Sequence, residues 1–384
     1  MSSEVADDLL VAVRDRLARQ GAQVTPQQVA LALRQEGRPV GDAEVLAVHD
    51  LLRRDVLGAG PLEDLLRLPG VTDVLVNGAD QVWIDRGEGL ELSAVTFGDE
   101  AGVRRLAQRL AATGGRRLDD AAPYVDLRLP DGTRFHAVLA PIARPGTVLS
   151  LRVPRRRAFA LEEFAAAGAI SDEGVQLLRR IMEARLAFLV SGGTGTGKTT
   201  LLGALLGLVE PGERMVLVED SSELRPVHPH VIGLEARPPN LEGAGEVTLR
   251  TLVRQALRMR PDRLVVGEVR GGEVVDLLAA MNTGHEGGCG TLHANSAADV
   301  PARIDSLAMA AGLTRDAAMS QLFSAVDVVI HLHRPHRGTR RVREIGVLTR
   351  TAGEVEVQPA VIFAADLTST TGPGLERLQQ LVVR

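Results

Sequence analysis

A glycine-rich segment surrounds the one lysine in the chain. It runs Gly192-Gly193-Thr194-Gly195-Thr196-Gly197-Lys198-Thr199-Thr200 and fits the pattern G-x-x-x-x-G-K-[ST]. In such a loop the backbone N–H groups surround phosphate groups, the lysine reaches their oxygens, and the hydroxyl after it binds Mg²⁺. All the other residues among the 44 Lys and Arg are arginine, whose planar guanidinium is too wide for a tight loop. The segment therefore predicts that residues 192–200 bind a nucleoside triphosphate with Mg²⁺.

Two apolar segments of the chain end in carboxylates. Residues 216–218 are followed by Glu219, and residues 264–267 are followed by Glu268. The carboxyl ends of parallel strands face the crevice in which ligands bind. We expect Glu219 to act on Mg²⁺ or on the attacking water, and a capping role for it stays open. Glu268 is the leading candidate for the residue that positions or deprotonates that water, and Thr199, Glu219 and Glu268 are the predicted Mg²⁺ ligands.

Histidines form a third group of candidate residues. His285 and His293 lie near the end of a further predicted strand, at a spacing that fits no common zinc pattern. An imidazole at this place would sense the terminal phosphate, and a purely structural role stays open for each. His331, His333 and His336 are expected to be surface histidines without a site, because no carboxylate or cysteine lies beside them.

Three arginines lie on predicted strands in the first half of the chain, namely Arg128, Arg134 and Arg152. Arginines on a β-surface are commonly solvated or salt-bridged. The functional alternative is that they stabilise phosphate charge across a domain or subunit boundary, in the manner of an arginine finger. The sequence leaves both alternatives open.

The bulk composition limits the classes of protein to consider. The 384 residues allow about two or three domains, and a hydrophobic fraction of 45% is enough for globular cores. The formal net charge of −5 and the 2% of aromatic residues do not favour nucleic-acid binding. Cys289 is the one cysteine, so no disulfide forms within the chain and a packed, unreactive role is expected.

Neither a signal peptide nor a membrane span is predicted. The N-terminus, Met1-Ser2-Ser3-Glu4, lacks the basic-then-apolar order of a signal peptide. A run of about 18 apolar residues, which a spanning helix needs, does not occur. We therefore expect a cytoplasmic protein that reaches a membrane only through partners.

The pattern along the chain divides it into five parts. Residues 1–57 are predicted to be an N-terminal helical segment, and residues 58–153 a small α+β domain. A linker is predicted over residues 154–170, beginning with a run of arginines. Residues 171–350 alternate strands with helices, and residues 351–384 are expected to be a C-terminal extension or tail.

The elements of residues 171–350 must position the candidate side chains. The predicted strands are 186–191, 215–219 and 264–267, and the predicted helices are 198–208, 247–259 and 272–281. Strands that are apolar on both faces are typical of a parallel sheet covered by helices on both sides. The glycine-rich loop then joins the first strong strand to the following helix in a three-layer α/β nucleotide-binding domain.

The small domain has its own pattern of short strands. A hairpin is expected around Asn77-Gly78, because strand-like alternation flanks this turn. A helix is predicted over residues 100–112, followed by strands over 134–139 and 148–153. The two halves of the chain therefore differ in architecture.

Long strings of residues carry a family resemblance. They are Gly60-Pro61-Leu62-Glu63, Val71-Thr72-Asp73-Val74-Leu75-Val76-Asn77-Gly78, Leu129-Pro130-Asp131-Gly132, Gly192 to Thr200, Glu219-Asp220, Arg258-Met259-Arg260-Pro261-Asp262-Arg263, Gly267-Glu268-Val269-Arg270-Gly271-Gly272-Glu273, Met281-Asn282-Thr283-Gly284-His285 and Thr291-Leu292-His293-Ala294-Asn295-Ser296. From about residue 58 to about residue 350 the chain resembles the type II/IV secretion system ATPases, specifically the Flp/Tad pilus-assembly ATPases of the CpaF type.

The resemblance implies a RecA-like P-loop motor domain, preceded by a smaller N-terminal domain, in a homohexameric ring that closes on ATP. It implies Mg²⁺-dependent ATP hydrolysis and partners in a platform at the inner membrane. By position, the implied roles are phosphate and Mg²⁺ binding for Lys198 and Thr199, the second-motif acid for Glu268, the Asp box for Glu219, the His box for His293, and approach to the nucleotide for Arg134 and Arg152. Some members of the family carry a tetracysteine zinc module, which a chain with one cysteine cannot form.

These observations lead to one expected function and two alternatives. The expected function is a hexameric ATP-hydrolysing motor for pilus assembly or protein secretion at the cytoplasmic membrane. A related motor that moves DNA in conjugation or competence is the first alternative, since the phosphate site does not distinguish the cargo. A nucleotide-gated scaffold without meaningful turnover is the second, and the acid and histidine clusters argue against it.

Overall fold

The structure is a computed structural model, and it describes residues 25–35, 41, 45, 48, 58–87, 89–153, 159–237, 239, 244–284, 286–335 and 339–383. The chain divides into two compact units, Met1–Arg155 and Arg156–Arg384. Each unit has its own sheet and its own buried core. In these described ranges, no helix is both long and apolar enough to cross a membrane.

The first described helix, α1, spans Pro26–Gln35. At its start the Thr25 hydroxyl accepts the backbone N–H of Gln28 at 3.3 Å. Most of the remaining N-terminal helical segment predicted over residues 1–57 lies outside the described residues.

The first unit contains a six-stranded antiparallel sheet in the order β3-β2-β1-β6-β5-β4. Its strands are β1 (Asp73–Asn77), β2 (Val82–Asp85), β3 (Leu90–Leu92), β4 (Tyr124–Arg128), β5 (Arg134–Val138) and β6 (Val148–Arg152). A short helix, α2 (Glu63–Arg67), follows a 3₁₀ turn at Gly60–Leu62, and α3 spans Glu100–Thr113. Alternate strand residues bury one face of the sheet with the apolar side of α3. The predicted hairpin around Asn77-Gly78 is the antiparallel pair of β1 and β2.

The second unit contains a nine-stranded mixed sheet in the order β15-β14-β13-β12-β7-β11-β10-β8-β9. Neighbouring strands are parallel in the part of this order that runs β12-β7-β11-β10-β8-β9. They are antiparallel in the part that runs β15-β14-β13-β12. The bounds are β7 (Phe188–Gly192), β8 (Met215–Glu219), β9 (Val231–Glu235), β10 (Arg263–Val269), β11 (Cys289–Leu292), β12 (Val328–His333), β13 (Arg341–Thr351), β14 (Glu354–Phe363) and β15 (Ser369–Thr371).

Helices cover both faces of this sheet. One core packs α4 (Leu161–Ala166), α5 (Asp172–Glu183), α6 (Lys198–Leu206) and α11 (Leu375–Leu381) against the sheet. The other packs α7 (Leu249–Ala256), which continues into a 3₁₀ turn at Leu257–Met259, with α8 (Glu273–Met281), α9 (Val300–Ala310) and α10 (Arg315–Ala325). Successive residues of β7 belong to opposite cores, since Phe188 and Val190 lie in the first and Leu189 in the second. The predicted three-layer α/β domain, with a smaller α+β domain before it, is confirmed.

The C-terminal extension predicted over residues 351–384 is part of the folded unit, so the expectation of a tail is wrong. Strand β14 pairs with β13 along its length, and β15 pairs with β14. Val355 and Val357 alternate with glutamates, a period-2 signal of a strand with one buried face. Leu378 and Leu381 of α11 are buried in the first core. Gly372, Pro373 and Gly374 form the turn between β15 and α11.

The predicted linker over residues 154–170 also contains folded structure. Helix α4 begins at Leu161, whose side chain is buried, and Ile170 lies in the same core. Residues 154–158, which hold the arginine run, lie outside the described residues.

Cys289, at the start of β11, is a packed core residue, as the composition predicts. Its side chain is fully buried between neighbouring strands. Burial raises the pKa of the thiol to about 12, so the thiolate that a nucleophile requires is scarce at neutral pH.

Candidate functional site

The glycine-rich loop joins the end of β7 to the first turn of α6. Gly192, Gly195 and Gly197 have φ values of 152°, 69° and 97°, a region that residues with a Cβ rarely occupy. A Cβ at Gly192 would lie 2.7 Å from the carbonyl oxygen of Leu332 in β12. The loop therefore needs glycine both for its backbone angles and for its close approach to the neighbouring strand.

Lys198 is the first residue of α6, and its side chain points back along the loop. Its Nζ donates to the carbonyl oxygens of Gly192 and Gly193 at 3.1 and 3.0 Å. Only 7% of the residue is exposed, and this burial lowers the pKa of its ammonium. The ammonium is thus held over the cradle of the loop by weak carbonyl acceptors, which phosphate oxygens would replace.

The predicted acid Glu268 lies at a β-bulge in β10. The register of β10 with β11 shifts between Val266 and Val269, so β10 carries one extra residue there. The Thr291 hydroxyl donates to the carbonyl oxygen of Gly267 at 2.7 Å, which satisfies an acceptor inside the bulge. Bulges of this kind re-aim a side chain, and here the side chain is that of Glu268.

The Glu268 carboxylate faces basic groups on both of its oxygens. Oε2 accepts a hydrogen bond from Arg270 at 2.5 Å, and Oε1 lies 2.7 Å from Nε2 of His293. Burial would raise the pKa of Glu268, but the hydrogen bond and charge of Arg270, with His293 and Lys198, lower it below its ordinary value. The carboxylate is therefore ionised at neutral pH and available as an acceptor.

His293 lies between Lys198 and Glu268. Both of its ring nitrogens are 3.4 Å from Nζ of Lys198. Burial, together with the charge of Lys198, lowers the pKa of the imidazole, and Glu268 opposes this shift. The ring is accordingly neutral at neutral pH. The structure thus brings three predicted site residues into one cluster at the carboxyl ends of β10 and β11 and the start of α6.

Glu219 occupies the end of β8, with only 4% of the residue exposed. Its Oε1 accepts the backbone N–H groups of Glu223 and Leu224, each at 2.9 Å. Burial raises the pKa of this carboxyl to about 7. A Cβ at Gly267 of the adjacent strand would lie 2.7 Å from its Cγ. One carboxylate oxygen of Glu219 therefore plays the capping role, because its two hydrogen bonds order the turn after β8.

An acceptor suited to a hard cation lies in the cluster. Oε1 of Glu268 is buried and has no hydrogen-bond partner among the residues that the structure describes, because its approach to His293 lacks hydrogen-bond geometry. Three His, Cys, Asp or Glu side chains do not converge on a metal position anywhere in the described ranges. Mg²⁺ is usually held by one or two carboxylates, waters and substrate phosphates, so the side chains present fit this ion.

The three candidate arginines all lie in the first unit, on one row across its sheet. Arg134 is directly opposite both Arg128 and Arg152 in the strand register. Its guanidinium contacts both carboxylate oxygens of Asp126, at 3.2 and 2.7 Å, and Arg152 lies 3.5 Å from Asp73. Arg134 and Arg152 are exposed, so the salt-bridged alternative holds for both in this structure.

The expectation of surface histidines in β12 is wrong for His331, which is only 3% exposed. Its Nδ1 lies 2.9 Å from the hydroxyl of Ser191, the residue before the glycine-rich loop. The local sequence does not indicate this, because it does not show that β12 is an inner strand paired with both β7 and β13. His333 is half-buried, and His285 and His336 lie outside the described residues.

Arg334, just beyond β12, belongs to none of the sequence motifs. Its guanidinium lies 3.1 Å from the position of a Cβ at Gly195 in the loop. The end of β12 therefore borders the glycine-rich loop, which no local motif indicates.

Comparison with known proteins finds a matching family model and several relatives. The family model described as "Type II/IV secretion system protein" matches residues 55–359. A putative conjugal transfer protein of Mycobacterium tuberculosis is 56% identical over 333 residues, which cover 85% of this chain and 94% of that protein. The conjugal transfer protein TrbB of Rhizobium radiobacter is 30% identical over 280 residues, covering 72% of this chain and 83% of that protein.

A solved structure shares the fold. The ATPase DotB of Yersinia pseudotuberculosis aligns with a TM-score of 0.53 at 16% identity, covering 79% of this chain and 80% of that chain. At this level of identity the likeness concerns the fold alone.

Proposed function

The chain belongs to the type II/IV secretion system protein family, and we propose that it is an Mg²⁺-dependent, ATP-hydrolysing motor that works as a homohexamer in pilus assembly or protein secretion. Its fold is that of the P-loop ATPases of this family, and ATPase activity follows from the membership. The single observation that carries the proposal is the cluster of Lys198, His293 and Glu268 beside the glycine-rich loop.

The loop would bind the triphosphate through its backbone N–H groups and Lys198. Nζ of Lys198 would exchange the carbonyl oxygens of Gly192 and Gly193 for phosphate oxygens, which are stronger acceptors for an ammonium. The hydroxyl of Thr199 and the carboxylate of Glu268 would hold Mg²⁺, with Glu219 at the neighbouring strand end. When bound, the ion neutralises charge that develops on the phosphates.

Glu268 would orient the water that attacks the γ-phosphorus. Its ionised carboxylate accepts a proton of that water while the bond from the γ-phosphorus to the bridging oxygen breaks, and ADP and inorganic phosphate leave. The neutral imidazole of His293 would donate to a γ-phosphate oxygen and so report whether that group is present. Lys198 would stabilise the charge of the transition state.

Arg134 and Arg152 are proposed to complete the site from the first unit of the same or a neighbouring chain. Each would exchange its carboxylate partner, Asp126 or Asp73, for phosphate oxygens when ATP is bound. This exchange is feasible because exposed ion pairs contribute little free energy. Loss of the γ-phosphate would then release the arginines and let the two units move.

A phosphate-release assay over a range of protein concentrations tests the proposal. Turnover per chain should rise as the ring assembles, because a site that needs a neighbour is incomplete in the monomer. The same preparation carrying Lys198→Ala gives the background. If turnover at concentrations that support assembly does not exceed this background, a nucleotide-gated scaffold replaces the motor.

A DNA-moving motor of conjugation is the second candidate, and the relatives favour it. The mycobacterial protein at 56% identity and TrbB are both named as conjugal transfer proteins. The net charge of −5 and the scarcity of aromatic residues argue against direct contact with DNA. A salt-sensitive mobility shift with single-stranded DNA would support this candidate, and its absence at low salt would favour pilin or protein cargo.

The place of work is proposed to be the inner face of the cytoplasmic membrane, reached through platform proteins. The family membership and the lack of a spanning helix among the described residues support this. Crosslinking and co-purification from membranes would identify the partner and with it the cargo.

A further inference from the structure

The end of β12 packs against the glycine-rich loop. A Cβ at Gly192 would lie 2.7 Å from the carbonyl oxygen of Leu332, and one at Gly197 would lie 4.0 Å from Cδ2 of the same leucine. Just beyond the strand, Nη1 of Arg334 lies 3.1 Å from the position of a Cβ at Gly195. The guanidinium therefore reaches the part of the loop whose backbone N–H groups surround phosphates in this motif.

Local backbone rules direct the Arg334 side chain to this place. Residue 335 is proline, so the residue before it is kept out of the helical region and in an extended conformation. Successive side chains of an extended chain alternate between the two faces of a sheet, so Arg334 follows Leu332 on one face. Leu332 belongs to the first core, together with Leu201 of α6. Arg334 thus lies on the face of the sheet that α6 covers.

The guanidinium of Arg334 is exposed and has no carboxylate partner among the residues that the structure describes. Arg134 and Arg152, by contrast, each pair with an aspartate. A guanidinium presents a planar fork of donors that fits two phosphate oxygens at once, and its hydrogen bonds to anions are stronger than those between neutral groups. An unpaired fork beside a phosphate-binding loop is therefore suited to a phosphate ligand.

The order of the strands indicates which phosphates Arg334 reaches. Strand β7, which leads into the loop, lies between β12 and β11, and β10 follows β11. Glu268 and His293, on the side of β10 and β11, are the residues proposed to act at the γ-phosphate. Arg334 lies on the β12 side, so the loop separates it from those two. A triphosphate whose γ end lies at His293 has its α- and β-phosphates at the loop and towards β12.

We propose that Arg334 binds the α- and β-phosphates, the two that ATP and ADP share, and so sets the affinity of the site for both nucleotides. The inference rests on the nucleotide binding proposed for residues 192–200. It divides the work of the site between its two sides. The side of β10 and β11 responds to the γ-phosphate, and the β12 side holds the diphosphate that remains after hydrolysis.

Arg334→Ala tests this assignment with ADP, with a non-hydrolysable ATP analogue and with inorganic pyrophosphate, each in an equilibrium titration. Loss of hydrogen bonds to a charged partner should weaken the binding of all three ligands about tenfold. In steady-state phosphate release, KM for ATP should rise about tenfold and kcat should not fall. The reason is that the lost contact is the same in the bound substrate and in the transition state.

Further measurements distinguish a phosphate contact from a general effect on the fold. Because the contact is exposed, the ratio of wild-type to variant affinity should shrink towards one in about 1 M salt, where the Debye length is about 3 Å. Arg334→Lys keeps the charge but loses the fork, so it should weaken binding by only about threefold. Thermal unfolding without ligand should be unchanged, whereas ADP should raise the unfolding temperature less in Arg334→Ala than in the wild type.

The matched control is Arg350→Ala, which removes the same charge from another exposed arginine of the second unit. The Arg350 guanidinium lies 4.9 Å from the ring centre of Phe323. Strand β13 runs antiparallel to β12, and Val347 is opposite Val328 at the start of β12, so Arg350 lies at the edge of the sheet away from the loop. Arg350→Ala should leave the affinity for all three ligands unchanged.

Three results would overturn the proposal. The first is an unchanged affinity of Arg334→Ala for ADP. The second is a loss confined to the ATP analogue, which would place the guanidinium at the γ-phosphate. The third is a loss for ADP without a loss for pyrophosphate, which would place it against the nucleoside.

The wild type separates this inference from the proposed function. A wild-type protein that binds ADP but releases no phosphate from ATP would refute the motor, and the ADP and pyrophosphate comparisons would still decide the role of Arg334. A wild-type protein that does not bind ADP would overturn both.

Discussion

The imidazole of His293 contacts the carboxylate of Glu268, with 2.7 Å between Nε2 and Oε1. The same ring lies 3.4 Å from the ammonium of Lys198, so it separates the cation of the phosphate loop from the acid of β10. The charges of Lys198 and Glu268 also act on each other, since each shifts the pKa of the other. A bound γ-phosphate would be drawn to Lys198 and would place its oxygens next to this ring.

Glu268→Gln should stop hydrolysis and leave ATP binding intact. The amide keeps the size of the side chain and one acceptor oxygen, but it cannot take a proton from water. We expect kcat to fall by about 10²–10⁴-fold, with the affinity for a fluorescent ATP analogue unchanged within a few-fold. Steady-state phosphate release and equilibrium binding measure the two quantities.

The matched control for this substitution is Glu376→Gln, at an exposed acid of α11. We expect it to change neither kcat nor the affinity for the ATP analogue. Undiminished turnover in Glu268→Gln would transfer the water-positioning role to another residue, with Glu219 as the nearest strand-end acid.

Lys198→Arg should be as damaging as Lys198→Ala, although it conserves charge. The ammonium lies 3.0–3.1 Å from two loop carbonyl oxygens in a nearly enclosed site. A guanidinium is wider than an ammonium and flat, so it does not fit there. We expect turnover to fall by about 10²-fold or more in both variants. Activity of the arginine variant above about a tenth of wild type would show that the loop tolerates a planar cation.

Glu219 should make the stability of the ligand-free protein depend on pH. Its carboxyl has a folded-state pKa of about 7 against an ordinary 4.5, so the folded chain holds a proton that the unfolded chain has already released. Its contribution to the free energy of unfolding, about 3 kcal/mol, is therefore fully present below about pH 4.5. This contribution is lost as the pH rises through 7.

Glu219→Gln should remove this dependence, because the amide oxygen still accepts the N–H groups of Glu223 and Leu224 but does not titrate. Urea unfolding of wild type and variant at pH 5 and pH 8 gives the comparison. Between pH 5 and pH 8 the difference in unfolding free energy should shift by about 2.5 kcal/mol in favour of the variant. Parallel curves for the two proteins would mean that Glu219 is already ionised at pH 5.

Arg134→Ala and Arg152→Ala should lower kcat without unfolding the first unit. Both side chains are exposed and each forms an ion pair with a carboxylate, so their removal costs little stability. If they deliver charge to the phosphates, kcat should fall on the order of 10³-fold. Arg104→Ala, which breaks a similar ion pair with Asp120 in the same unit, is the control. Equal activity of all three variants would leave Arg134 and Arg152 as surface ion pairs.

The sequence predicts the site better than it predicts the sheet. The loop, Lys198 and Glu268 follow from local patterns, since each belongs to an apolar strand and the residues directly after it. Local patterns do not reveal which strands are neighbours, and the contact between His293 and Glu268 depends on β11 lying beside β10. That β12, which carries His331, is an inner strand depends likewise on its pairing with β7 and β13. The first half of β14 alternates glutamate with valine over residues 354–357, so it lacks the continuous apolar run that marks the parallel strands.

Leu378→Ala tests whether the last residues of the chain stabilise the motor domain. Leu378 of α11 is fully buried, whereas Val383, five residues further on, is 83% exposed. Removing a buried leucine side chain costs about 2–5 kcal/mol, since it loses contacts and leaves a cavity. We expect this loss in urea unfolding of Leu378→Ala, and a change below about 0.5 kcal/mol for Val383→Ala. If the two variants unfold alike, α11 does not pack on β14 in solution, and the tail predicted for the end of the chain is supported at α11.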